Sequence, residues 1–570
     1  MHDDEPVGLG GLKVGFDDER AVSDVGVTLV ATLAKRLGIE AVAGRLVGLP
    51  RDRPGAANAG RKVMALLFAM VLGADSIDDC ELLRAGKTRR LLGGWMPAPS
   101  TLGTFLRAFT FGHVRQLDAL LGEALVRAWR AGAGPGEGRL LIDVDSFVGE
   151  VYGRLKQGAA YGYTKVLGYH PILATRADTR EVLHIRLRKG SANTQKGMLR
   201  FCDELIARVT RAGAGGVKLL RADSGFWNTK VFKRLEQAGW QYSIGVRMQK
   251  GIREAVEQVD EQAWQTIEYP QDGEAQIAET TYGGRRLIVR RTRLVGRQAQ
   301  LWPDWRHFAF LTNRTEDITV VEAEHRDHAV VEQVIVDLKD QALVHFPSGE
   351  FNANGAWTVL GALAHNLLRW TQLIGLPNST VRAARTIRRR LLHIAGRLTR
   401  HGRAWTLHLP TRWPWQGDYL AALARIRALP TAGPPATGRP SKLSSSLAQT
   451  GAITAPLEHQ KRFRGNARQT LRAPDRRSPP DLNPSSPPAS RRHHPPTQRF
   501  GCGRDGRYRP PPAQIPACGT TALGSCLGCW RRIAARARDA KSAVEVATGQ
   551  RDASSVPRPT GDADCGAAAF

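Results

Sequence analysis

The chain has 570 residues, room for about three or four domains and a large core. Its 82 Lys and Arg against 53 Asp and Glu give a formal net charge of +29 and a pI near 10.5, an excess that suits a polyanionic partner, most commonly nucleic acid. A membrane-spanning class is disfavoured because the longest apolar run, Val63 to Leu72, is far too short for a bilayer. A disulfide framework is disfavoured because only Cys80 and Cys202 of the seven cysteines precede residue 500. The first residues, Met1-His2-Asp3-Asp4-Glu5, are acidic where a signal peptide is basic, so the expectation is a cytoplasmic protein with no membrane partner.

After a flexible segment 1–17, residues 18–132 are predicted to form an all-helical domain. Apolar positions recur at helical spacing in Val27 to Leu37, Arg61 to Leu72 and Leu102 to Trp129. Ser76 and Ser100 are candidate N-caps, Ser76 with Asp79 three residues on. The stretch Pro99 to Arg107 fits the second helix of a helix-turn-helix, offering small polar residues and Arg107 to a DNA groove. A merely capped helix is the bland alternative.

From Arg139 the pattern changes to strands at 139–147, 166–175, 181–188, 216–222 and 241–246, with helices at 194–212 and 227–238. Adjacent strands followed by alternating helix and strand predict a mixed sheet with helices on its faces. A β-rich insertion at about 250–315 contains strand-like runs at Thr281 to Arg293 and Phe308 to Thr312. Helices are predicted again from His325, through Trp357 to Leu376 and Thr386 to Thr399.

Residues 431–570 hold 18 of the 32 prolines, five of the seven cysteines, and 22 Lys and Arg against 9 Asp and Glu. This Pro, Ser and Arg bias cannot support a packed core and predicts a disordered basic tail. It reads either as a basic arm adding nonspecific DNA affinity or as a frameshifted end. Cys526-Leu527-Gly528-Cys529 lacks the second clean pair a zinc site needs.

Three acidic positions recur in settings of one kind. Leu140, Leu141, Ile142 and Val144 form a buried strand whose alternation puts Asp143 and Asp145 on one face near its carboxyl end. Val217 to Ala222 is a second strand closing on Asp223. A helix over His325 to Lys339 gathers His325, His328, Glu332 and Lys339 within an arc of about 60°. Hard divalent ions take such oxygen ligands, although three carboxylates are easily assembled by chance from 53 acids.

The order of motifs resembles bacterial insertion-sequence transposases of the DDE class, and most nearly the thirteen-eighty family. The residues that carry it are Asp145-Ser146-Phe147, Lys156 to Tyr163, Gly168-Tyr169-His170-Pro171, Arg221 to Phe226, and Glu332 with Lys339. The resemblance covers about residues 15–425. It implies an α/β fold, a ribonuclease H-like catalytic domain over 133–430 interrupted by the insertion. It implies Asp145, Asp223 and Glu332 as metal-binding catalytic acids, with Asp143 competing for the first place. Asp145 is favoured because it directly precedes the serine. Two Mg²⁺ ions are implied, with Mn²⁺ as a substitute, and Lys339 and His328 as phosphate contacts. The implied partners are terminal inverted repeats and target DNA, bound by a homodimer. In the tyrosine-arginine-glutamate-lysine signature of neighbouring families, His325 and His328 stand where tyrosine and arginine are usual, and Phe147 replaces a common threonine. The other readings are a different ribonuclease H-like nuclease and a DNA-binding remnant that no longer cuts.

Overall fold

The computed structural model describes residues 9–433 except 163, 269–272 and 295–304. Nearly all of the predicted tail, with its cysteine pair, therefore lies outside the described residues, as do residues 1–8 of the segment 1–17.

The N-terminal part is mainly helical: α1 (Val27–Arg36), α2 (Ile39–Leu46), α3 (Ala59–Val71), α4 (Thr88–Leu91), α5 (Pro99–Arg107) and α6 (Phe111–Ala128). A two-residue strand, β1 (Ala21–Val22), precedes them. Ser76 and Asp79 exchange hydrogen bonds of 3.0 and 3.3 Å, as expected of a capping pair, at the head of a 3-10 turn, Asp78–Arg84. Ser100, by contrast, does not cap α5. Pro99 holds the first helical position, where its fixed φ suits the helix and its missing N–H is no loss.

Strands follow in the order β2 (Leu140–Ser146), β3 (Gly149–Glu150), β4 (Ala160–Tyr161), β5 (Leu167–Tyr169), β6 (Ile172–Arg176) and β7 (Val182–Arg186). The expected strand 166–175 is thus two, parted where Pro171 has no N–H to give a ladder. Next come α7 (Met198–Ala212), β8 (Lys218–Ala222), α8 (Thr229–Gln237), β9 (Gln241–Val246) and α9 (Lys250–Glu257). The expected insertion supplies β10 (Gln265–Ile267), β11 (Gly273–Tyr282), β12 (Arg285–Leu294) and β13 (Arg306–Thr312). It is not a separate β unit. A nine-stranded sheet runs β10-β11-β12-β13-β9-β8-β2-β6-β7, with β2, β8 and β9 mutually parallel and the remaining neighbours antiparallel. Gly283 and Gly284, at φ +57° and +72°, turn β11 into β12 inside what the sequence suggested was one strand.

The segment expected as one helix from His325 is broken into α10 (Ile318–Arg326), a 3-10 turn over Asp327–Ala329 and α11 (Val330–Lys339). The cause is local. Arg221 on β8 donates to the carbonyls of Glu324 at 2.5 Å and Asp327 at 3.4 Å, and His328 Nδ1 lies 2.7 Å from the carbonyl of His325. Side chains thus take up carbonyls at the break.

Then comes α12 (Phe351–Gly375), buried along nearly its whole circumference. It contacts α3, α5, α6 and α14 (Gln416–Ala428) as well as β7, so one apolar core runs from Val27 to Ile426. The helix expected over Thr386 to Thr399 is replaced by α13 (Ala384–Ile387), a π turn to Leu392, and a hairpin of β14 (Gly396–His401) and β15 (Ala404–His408). That hairpin pairs with β1, burying Leu398 against Val22 and Val25. Among the described residues no helix is long and apolar enough to cross a membrane.

Candidate active site

Parallel pairing sets the first two acids level with one another. Val144 on β2 faces Ala222 on β8, so Asp145 and Asp223 are the next residues at the carboxyl ends of neighbouring strands, about 4.8 Å apart as strands. Asp223 accepts the Gly225 N–H at 3.0 Å and caps the turn Ser224–Phe226. Gly245 on β9 lets that turn close, since a Cβ there would meet the Ser224 nitrogen at 2.8 Å. Glu332 stands exposed in the first turn of α11, whose Val331, Val334 and Leu338 are buried in the main core, with the helix against β2 and β6.

Asp145 feels both of the other carboxylates. Burial first, then the charges of Asp223, Glu332 and Asp143, push the Asp145 carboxyl up to about 7, against the Ser146 N–H bond at 2.6 Å that favours ionisation. Burial also raises Asp223, opposed by the Gly225 N–H and the charges of His328 and Arg247. The set is all oxygen, as a hard divalent cation requires, but its ligand atoms are not drawn within 4.8 Å of one another as those of Asp118, His184 and Glu204 are.

Asp143 has a different setting. It is fully buried, and Arg221 Nε and Nη2 donate to its two oxygens at 2.6 and 2.9 Å. Its pairing capacity is taken by a guanidinium, whereas Glu332 has no hydrogen-bond or ion-pair partner among the described residues. The other nearby glutamates are also occupied. Glu322 pairs with Arg290 at 2.7 Å and Arg326 at 3.0 Å, and Glu324 with Arg139 at 3.0 Å and Arg314 at 2.5 Å.

Among the described residues, one group of His, Asp and Glu already has ligand atoms within 4.8 Å of one another: Asp118, His184 and Glu204. It does not suit a metal. Arg208 lies 2.6 Å from Asp118, and Arg115 2.9 Å from Glu204, with Arg186 and Arg200 also on Glu204. Burial pushes both acids up, yet their cationic neighbours hold Asp118 far below the usual range and Glu204 at about 2.

The family model described as transposase DDE domain group 1 matches residues 6–431. The chain is a DDE transposase. It is therefore an enzyme of metal-dependent DNA cleavage and transfer. No curated protein matches it. A solved structure, the cryo-EM piggyBac transposase synaptic complex with hairpin DNA, is similar at 12% identity and a TM-score of 0.38, over 65% of this chain and 80% of that one.

The remaining sequence candidates of this transposase are dispersed. Lys339 ends α11 with its ammonium 5.2 Å from the Phe147 ring centroid, so the aromatic that replaces threonine seats the lysine. Burial lowers the Lys339 pKa, and Glu150 opposes this. His328 borders a cleft of about 490 Å³ that Asp223 also lines. His325 turns inward, its Nδ1 2.8 Å from Ser243 Oγ and its ring stacked on Phe310 at 4.0 Å. Burial, with the charges of His328, Arg221 and Arg290, lowers it to about 3, so it stays neutral and structural. Arg107 is exposed on α5, which packs on α3 and α12 away from the sheet's acids.

Sequence reasoning missed the basic wall of the cleft: Arg247, Arg290 and His307. Arg247 was findable, since it directly follows β9 as Asp223 follows β8. Arg290 and His307 were not, because the pairing of β12 with β13 is what gathers them.

Proposed function

We propose that Asp145, Asp223 and Glu332 are the catalytic acids of a transposase that binds the terminal inverted repeats of a bacterial insertion sequence, cuts there and joins the ends to target DNA. The observation that carries this is the level placement of Asp145 and Asp223 on adjacent parallel strands, in one electrostatic unit with Glu332. The strand order β7-β6-β2-β8-β9, an antiparallel meander followed by two parallel strands, supports a ribonuclease H-like core. The motif order supports membership of the thirteen-eighty family.

The three carboxylates would hold two Mg²⁺ ions, or Mn²⁺, which supply activation of water or a 3′-hydroxyl and neutralisation of the leaving oxygen. The chain's own groups position the DNA. Lys339, braced on Phe147, offers an ammonium to a phosphate beside Glu332's helix, and His328 and Arg247 flank Asp223. The Asp143–Arg221 pair fixes the turn that orients α11. Arg107 and the N-terminal helices contribute DNA contacts outside the cleft, and a homodimer brings two ends together.

Incubation with end DNA and Mg²⁺, with cuts mapped at nucleotide resolution, tests this. Cuts at the element's end with strand joining are expected. Cleavage without joining points to a different ribonuclease H-like nuclease, and binding without any cutting to an inactive remnant.

A further inference from the structure

The first helix, the last helix and the C-terminal hairpin enclose a groove of about 680 Å³ on a part of the molecule the acids do not occupy. Lys35 and Arg36 on α1 and Arg427 on α14 line it, and its lining contains no carboxylate. Trp405 of β15 forms its rim and is 45% exposed. The guanidinium carbons of Arg90 and Arg400 sit 5.7 and 5.5 Å from that indole's centroid. None of these five cations has a carboxylate partner among the described residues; Arg36 donates instead to Thr431 Oγ1 at 2.9 Å. The sequence explains why. Between Glu350 and Asp418 there is no acidic residue, while Arg397, Arg400 and Arg403 crowd the hairpin.

We propose that this groove is a second DNA-binding surface, taking the phosphate backbone of duplex DNA outside the cleavage cleft. Cations gathered without carboxylate partners repel one another until a polyanion neutralises them, releasing its own condensed counterions into solvent. Their spread over α1, α4, α14 and β14 suits a repeating chain of phosphates better than one isolated anion. Trp405 is a positioning residue here, since its ring seats Arg90 and Arg400 by cation–π attraction. The proposal rests on the reading that the protein handles DNA.

The test is fluorescence anisotropy of a labelled duplex with the full chain in EDTA across a salt series. Each phosphate that the protein no longer neutralises lowers the slope of log K against log salt by about 0.9. Lys35→Ala/Arg427→Ala should therefore flatten it by about 2 and weaken binding roughly tenfold to a hundredfold at moderate salt. Arg211→Ala/Lys218→Ala, a control of equal charge, should leave the slope unchanged. Trp405→Ala should weaken binding, and Trp405→Phe should restore it. A wild-type slope in Lys35→Ala/Arg427→Ala overturns the proposal while leaving DNA binding intact. So does loss of binding to phosphatidylserine vesicles with DNA affinity kept. Failure of the wild type to bind any duplex overturns the DNA reading of the whole chain.

Discussion

Replacing Asp143 by asparagine separates two acids that sit two residues apart on one strand. Asp143 is fully buried and Arg221 is 3% exposed, joined by two charge-assisted hydrogen bonds of 2.6 and 2.9 Å. Removing one partner of a buried pair strands the other charge and costs about 3–5 kcal/mol. Burial pushes the Asp143 carboxyl up to about 6 despite Arg221. Much of the pair's attraction is thus spent on desolvation, and the lower end, about 3 kcal/mol, is expected. At about 2 °C per kcal/mol for a large domain, Tm should fall by about 6 °C. Asp145→Asn removes a carboxylate repelled by its neighbours, so Tm without metal should hold or rise. Thermal denaturation in EDTA, beside Mg²⁺-dependent cleavage below both transitions, reads the two effects. Asp143→Asn should be less stable yet still cut, and Asp145→Asn stable and inactive. The opposite pattern, with Asp143→Asn stable and dead and Asp145→Asn active, would refute the assignment of the first acid.

Glu332→Gln should abolish cleavage with DNA affinity retained, whereas Glu322→Gln, which strands Arg290 and Arg326, should lower Tm and still cut; active Glu332→Gln would displace the third acid. The Asp145 carboxyl rises from 3.8 to about 7 on folding, so between these values the native state holds the extra proton. Metal-free stability should consequently fall as pH rises through that window, level off above it, and recover on adding Mg²⁺ at pH 8; a flat Tm between pH 5 and 7 in EDTA would contradict this. Because Arg36 bonds Thr431 Oγ1 and its carbonyl accepts the Ala432 N–H at 2.8 Å, truncation should follow Gly433. Removal of 434–570 should leave cleavage at low salt intact, and its loss there would show that the tail takes part.

The strand acids were legible because an apolar run ending in aspartate suits little besides a buried strand whose carboxyl end opens onto a cleft, and β2, β8 and β9 fall close to where alternation put them. The break before Glu332 was not, since its cause, Arg221, lies about a hundred residues upstream on another element. The β14–β15 hairpin was hidden by its arginines, which suit helices as well. Its signals were the alternation of Leu398 with Arg397 and Thr399, the matching Leu407 between Thr406 and His408, and the turn glycine Gly402, which takes φ +56°. No local pattern says whether an inserted strand joins the parent sheet; that depends on the edge β9 presents.

α12 has a mechanical consequence. As 25 residues it is a rod about 37 Å long, and its contacts include α3, α6 and α14 on the helical side and β7 of the sheet. A helix gripped on every side cannot serve as a hinge. If the helical half holds DNA as proposed, that DNA is registered against the acids by a stiff axle, and bringing a distant phosphate into the cleft would fall to bending of the duplex or to the meeting of two copies.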